Sequence, residues 1–147
     1  MSVRVSDRNE GKLQVLDLTR RLAAHTIRMC KNEDAFPKRQ RWVFTQRIVD
    51  EAIECYSCVR RANATLMREG PTLDTDYAYR RSQQVEAHAR LNALMSLIDL
   101  SFELGNVGDR RASHWMGLAK ETNEKLKAWM RSDSKRYVAL GASRDGA

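Results

Sequence analysis

The chain has 147 residues, 42% hydrophobic and 31% charged, with a net charge of +7 at neutral pH. That is the length of one domain with a real core, and no apolar run approaches the ~20 residues of a membrane span. The basic balance favours polyanionic partners, while three cysteines make no disulfide framework and point to a reducing, cytoplasmic setting.

Residues 1–9 are polar and have no apolar stretch of the kind a secretory signal needs. From Gly11 the pattern is helical, with Val15, Leu18, Leu22, His25 and Met29 stepping by three and four residues along one face. This predicts a first helix over 11–31, closed by the polar break Asn32-Glu33-Asp34.

Phe36-Pro37 opens the second helix, because proline lacks the N–H a helix interior needs but suits a first turn. The predicted span is 37–68, with Phe44, Ile48, Ala52, Cys55, Val59, Ala62 and Leu66 as its apolar stripe. Gly70-Pro71 is the expected stop. A third helix over 75–104 follows from cap candidates at Asp74 to Asp76 and a face carrying Tyr77, Arg81, Gln84, His88, Leu91, Met95, Ile98 and Phe102. Val85, Leu94 and Leu97 widen that face.

Gly105 to Asp109 forms the next turn. Trp115, Leu118, Thr122, Leu126 and Trp129 then give a fourth helix over 110–131, with residues 132–147 expected as a flexible tail. No strand alternation occurs. Four long helices on short links predict an all-α fold, an antiparallel up-down-up-down four-helix bundle spanning 1–147 as a single domain.

Cys55-Tyr56-Ser57-Cys58 has the spacing of a zinc or redox motif but falls inside a continuous helix, with Cys55 on the apolar stripe. Aligning the helices end to end puts Cys30 roughly 16 Å along the axis from Cys55, too far to share a metal. His88 comes level with Cys58, yet nothing completes a ligand set. His25 and His88 fall ~15 Å apart by the same counting. The Glu-x-x-His signature of di-iron bundles, Gly-x-Ser-x-Gly, His-Glu-x-x-His and a phosphate-cradling glycine loop are all missing. The expectation is no catalytic residue, no metal ligand and no cofactor.

The cations are informative by placement. Lys38, Arg39, Arg41 and Arg47 open the second helix inside a run from Phe36 to Val49 that contains no acid. Arg20, Arg21, Arg28 and Lys31 lie on the first helix and Arg80 and Arg81 on the third, with further pairs at Arg60-Arg61 and Arg110-Arg111. Arginine forms two parallel hydrogen bonds to phosphate, so the ten residues Arg20, Arg21, Arg28, Lys31, Lys38, Arg39, Arg41, Arg47, Arg80 and Arg81 are the candidate nucleic-acid contacts.

Phe36-Pro37-Lys38 with Arg41, Phe44, Arg47 and Ile48, then Ala62-Asn63, Ala87-x-Ala89-Arg90-Leu91 and Trp129-x-x-Ser132-Asp133, occur in an order and spacing that cover residues 13–136. In these the chain resembles the four-helix-bundle family of the accessory variability determinant (Avd) of diversity-generating retroelements, which also holds the proteins of ribosomal RNA intervening sequences. The resemblance implies a homopentamer with a basic surface and a non-catalytic role. In that role it would bind RNA or DNA and a reverse transcriptase, and assist mutagenic copying of template RNA. An apolar surplus at Leu16, Ala23, Val49, Ile53 and Tyr56 fits such assembly. The alternative within the family is an intervening-sequence-type protein without a reverse transcriptase partner. A third reading is a metal-binding or redox bundle using Cys55, Cys58 and His88.

Overall fold

The computed structural model describes the backbone of residues 5–145 and the side chains of residues 14–143. Among these residues there are four long helices and no strand: α1 (Val5–Lys31), α2 (Gln46–Ala64), α3 (Leu73–Glu103) and α4 (Asp109–Asp145). A 3₁₀ turn (Lys38–Gln40) and a π-helical turn (Arg41–Thr45) lead into α2. In the helix packing α1 meets α2 and α4, and α3 meets α2 and α4, so the four surround one common core. No helix among the described residues is long and apolar enough to cross a membrane.

Helix α1 starts at Val5 rather than Gly11; the first four residues of the expected polar leader lie outside the described residues. Val15, Leu18 and Leu22 are buried as the spacing predicts. Thr19 and Thr26 are buried among them, because each hydroxyl donates to the carbonyl four residues back, Val15 O at 2.8 Å and Leu22 O at 2.7 Å. The Thr26 hydroxyl also accepts the indole N–H of buried Trp115 at 3.0 Å, tying the end of α1 to the start of α4.

The expected second helix over 37–68 is three pieces. Pro37, at φ −65° and ψ 152°, is extended and precedes the 3₁₀ turn instead of lying within a helix. At the other end α2 stops at Ala64, six residues before Gly70, with Thr65 extended at φ −96° and ψ 106°. The physical cause is Arg80, whose guanidinium donates to Thr65 O at 3.0 Å and, at 3.4 Å, to Ala62 O, a carbonyl it shares with the Thr65 N–H. Leu66, expected in the core, is therefore exposed, and Met67 is buried in its place.

Along α3 the buried positions are Leu73, Arg80, Gln84, Ala87, Leu91, Leu94, Ile98 and Ser101. The expected face shares Gln84, Leu91 and Ile98 with this set, and Leu94 from its widened side, but took His88 and Phe102 where Ala87 and Ser101 are buried. Phe102 and Val85 are exposed. Small residues at the seam let helices approach closely, and the larger ones rim the contact.

Helix α4 does not end at Arg131. It runs through the segment expected as a tail, because that segment has partners: Arg136 donates to Met67 O at 3.1 Å, the Tyr137 hydroxyl reaches Asp74 at 2.6 Å, and the Tyr137 ring stacks on Tyr77 with centroids 4.1 Å apart. Its buried face is Trp115, Ala119, Thr122, Leu126, Trp129 and, one step further, Asp133.

Candidate nucleic-acid interface

The stretch between α1 and α2 is built by local hydrogen bonds. Asn32 accepts the Asp34 N–H at 3.0 Å on its side chain and those of Ala35 and Phe36 on its carbonyl. Phe36 is then buried edge-on to Trp115, with centroids 6.2 Å apart. In the turn between α3 and α4, Asn106 donates to Ala35 O at 2.8 Å and to Gln40 Oε1 at 2.6 Å, which fixes the 3₁₀ turn from the opposite side. Phe44 and Thr45 point inward from the π-helical turn.

This framework leaves Lys38, Arg39, Arg41 and Arg47 exposed. Lys38 lies 3.7 Å from Glu33 across an exposed pair, an interaction worth ~0–1 kcal/mol. Arg39, Arg41 and Arg47 have no acidic partner among the described residues. Lys31 and Arg41 line one cleft of about 400 Å³ with Ile27, Phe36 and Val49. Arg28 is exposed one turn before Lys31. On the other side of α1, Arg110 and Arg111 line a pocket with His25, Met29 and His114. The cationic surface thus extends from the start of α2 across the end of α1 to the start of α4.

The other four candidate residues separate from this group. Arg20 and Arg21 both pair with Asp17, at 2.6 and 3.7 Å, a turn or so back along α1. Arg80 is not a surface cation at all. Its side chain is fully buried, forks onto the Asp133 carboxylate through Nε and through Nη2 at 3.0 Å, and lies 4.9 Å over the Trp129 ring. That pairing satisfies a charge burial would otherwise penalise, and it removes Arg80 from any nucleic-acid contact. Arg81, half-buried, lines a second groove of about 360 Å³ between α3 and α4 with His88, Lys127, Met130, Arg131 and Ser134. Lys127 and Arg131 were not among the sequence candidates; their helix positions match Arg81 only once α3 and α4 are packed.

Trp42 was also missed. It is 80% exposed and Val43 76%, on the same turn as the free arginines. A signal was present: the residues three and four away, Lys38, Arg39, Thr45 and Gln46, offer Trp42 no apolar neighbour on its own helix face.

The thiols are held protonated. Burial pushes Cys30 up to about 12, and burial, then Cys58 and Glu51, push Cys55 up to about 12. Cys58 is raised by burial against the pull of Arg61, whose Nη2 lies 3.2 Å from its sulfur. Thiols in that state are poor nucleophiles. Among the described residues no three His, Cys, Asp or Glu side chains converge as a metal site. His25 packs against His114, ring centroids 5.2 Å apart, with Nε2 enclosed and unbonded; burial first, then His114 and Arg28, hold its pKa below 6.5. No protein-family model, curated protein or solved structure matches the chain.

Proposed function

We propose that the protein is a non-catalytic nucleic-acid-binding accessory of a diversity-generating retroelement, partnering a reverse transcriptase in mutagenic copying of template RNA. The observation that carries the nucleic-acid part is the exposed stretch from the 3₁₀ turn into α2 that bears Lys38, Arg39, Arg41 and Arg47, three of them without an acidic partner among the described residues. Guanidinium groups held open in this way suit phosphate oxygens. The reverse transcriptase part rests on the family resemblance alone. A neighbouring reverse transcriptase gene with a template–variable repeat pair supports it, and its absence favours the intervening-sequence type.

The same reading has the helices running up-down-up-down, each antiparallel to its neighbours, in a cytoplasmic homopentamer. The Thr26–Trp115 bond, between the end of α1 and the start of α4, supports the first point. Arg80–Asp133, between the start of α3 and the later part of α4, supports it too. Ile53 exposed beside half-buried Val49 and Tyr56 supports an apolar outward face on α2, whereas Ala23 belongs to the core. Light scattering that gives the mass of a single chain at micromolar concentration ends the pentamer.

Binding to RNA or DNA is expected to weaken steeply with salt, because engaging phosphates releases condensed counterions. The double variant Lys38→Ala/Arg39→Ala is expected to stay folded, bind all sequences more weakly and flatten the salt slope by roughly one unit for each phosphate no longer engaged. Unchanged affinity and slope in a folded double variant refute the reading.

A further inference from the structure

The chain buries two of its three tryptophans, Trp115 and Trp129, and leaves Trp42 with Val43 as the most exposed large apolar side chains among the described residues. The backbone under Trp42 is fixed on both sides. Gln40, two residues before it, is held by Asn106, and Phe44, two residues after it, is anchored in the core. The turn between them is π-helical, a rare geometry that occurs frequently at functional sites. The indole is therefore presented from a rigid base, beside Arg39 and Arg41, which have no acidic partner among the described residues.

A matching partner needs a flat apolar face to lie on the indole and negative charge close by for the guanidinium groups. An unpaired nucleobase with its phosphates supplies both. In a duplex the base faces cover one another, leaving the backbone charge and the groove edges but no base face for the indole. A second copy of this chain fits poorly, since each copy brings the same cations and a net charge of +7 to the interface. We propose that Trp42 is a stacking platform for a base of single-stranded RNA or DNA, with Arg39 and Arg41 taking the flanking phosphates. The inference rests on the nucleic-acid reading above and commits it to the single strand.

The test is titration of the full chain with oligo(dT), oligo(U) and a duplex of equal length, reading both affinity and tryptophan emission. With Trp115 and Trp129 buried, quenching by the ligand reports Trp42. Both single strands are expected to quench and the duplex not to; quenching by only one of them identifies DNA or RNA as the ligand. Trp42→Ala is expected to lose roughly 5- to 150-fold in single-strand affinity, with Trp42→Phe retaining most of it and duplex binding little changed. Wild-type binding to single strand and duplex alike, salt-sensitive but without quenching, overturns the platform and leaves the nucleic-acid reading standing. So does a Trp42→Ala variant of unchanged single-strand affinity, or one whose change is in oligomer mass instead. No binding to any of the three overturns both.

Discussion

Replacing Asp133 by Asn removes one charge and almost no volume from the most polar part of the core. Asp133 accepts from Arg80 Nε, from Arg80 Nη2 at 3.0 Å and from Gln84 Nε2 at 2.8 Å. An asparagine has one acceptor oxygen, so whichever way its amide turns, its NH₂ faces a donor already in place. Arg80 cannot withdraw to water, because its side chain is fully buried and Nη1 is held by Thr65 O and Ala62 O. Breaking a buried ion pair from one side costs about 3–5 kcal/mol. At about 2–4 °C per kcal/mol for a domain of this size, the melting temperature should fall by roughly 6–20 °C. Urea titration followed by circular dichroism measures the loss directly. Added salt should leave it nearly unchanged, since a buried pair is little screened. Arg80→Met combined with Asp133→Leu should recover part of the stability, though not all, because the Thr65 carbonyl loses its donor and Ala62 O keeps only the Thr65 N–H. A loss below ~1 kcal/mol for Asp133→Asn would refute the account of a desolvated, paired charge.

Three further outcomes follow from the titratable groups. The His25 pKa is depressed in the folded chain, so the unfolded chain binds the proton more readily and the stabilising contribution is complete above pH 6.5. It is lost as the pH falls from 6.5 through the lower folded value, and His25→Phe should flatten stability against pH in that window; an unchanged slope in the variant refutes it. With Cys55 pushed up to about 12 by burial, its thiol should react with a disulfide reagent only on unfolding, and rapid labelling of the native chain contradicts the burial. Cys58→Ala should leave nucleic-acid binding intact, and the purified chain should carry no stoichiometric zinc. About one equivalent of zinc, absent from that variant, reverses the structural reading of the cysteines.

What could be read from the sequence was whatever neighbours in the chain decide. Val15, Leu18 and Leu22, or Ile48, Ala52, Cys55, Val59 and Ala62, are buried because a regular helix carries them to one side. Arg20 and Arg21 pair with an aspartate three and four residues away, a spacing visible before any folding. The acid-free run from Phe36 to Val49 was equally visible, and its arginines are indeed exposed. The third helix was misread on one side of its face because Ala87 and Ser101 are too small to stand out beside His88 and Phe102. Arg80 was misread because its partner lies 53 residues away, and no local pattern announces it. The end of α2 and the length of α4 were misjudged for the same reason. Arg80 stops the first by binding its last carbonyls, and the residues after Ser132 are helical where α4 covers the α2–α3 link.

The two ends of α2 therefore have opposite physical characters. Its carboxyl end is set by a buried cation whose charge, hydrogen bonds and position are all matched within the chain. Its amino end is preceded by two irregular turns that bring Phe44 inward while holding a lysine, two arginines and a tryptophan in water. Side chains matched internally hold a fold together; side chains left unmatched on a rigid base are available to something else. With the 19 residues of α2 spanning about 28 Å, changes at one end have no shared partner through which to reach the other. On the proposed reading, stability and binding are carried by different residues of the same basic type. The positive charge of the chain gains functional meaning only when each arginine is sorted by what already neutralises it.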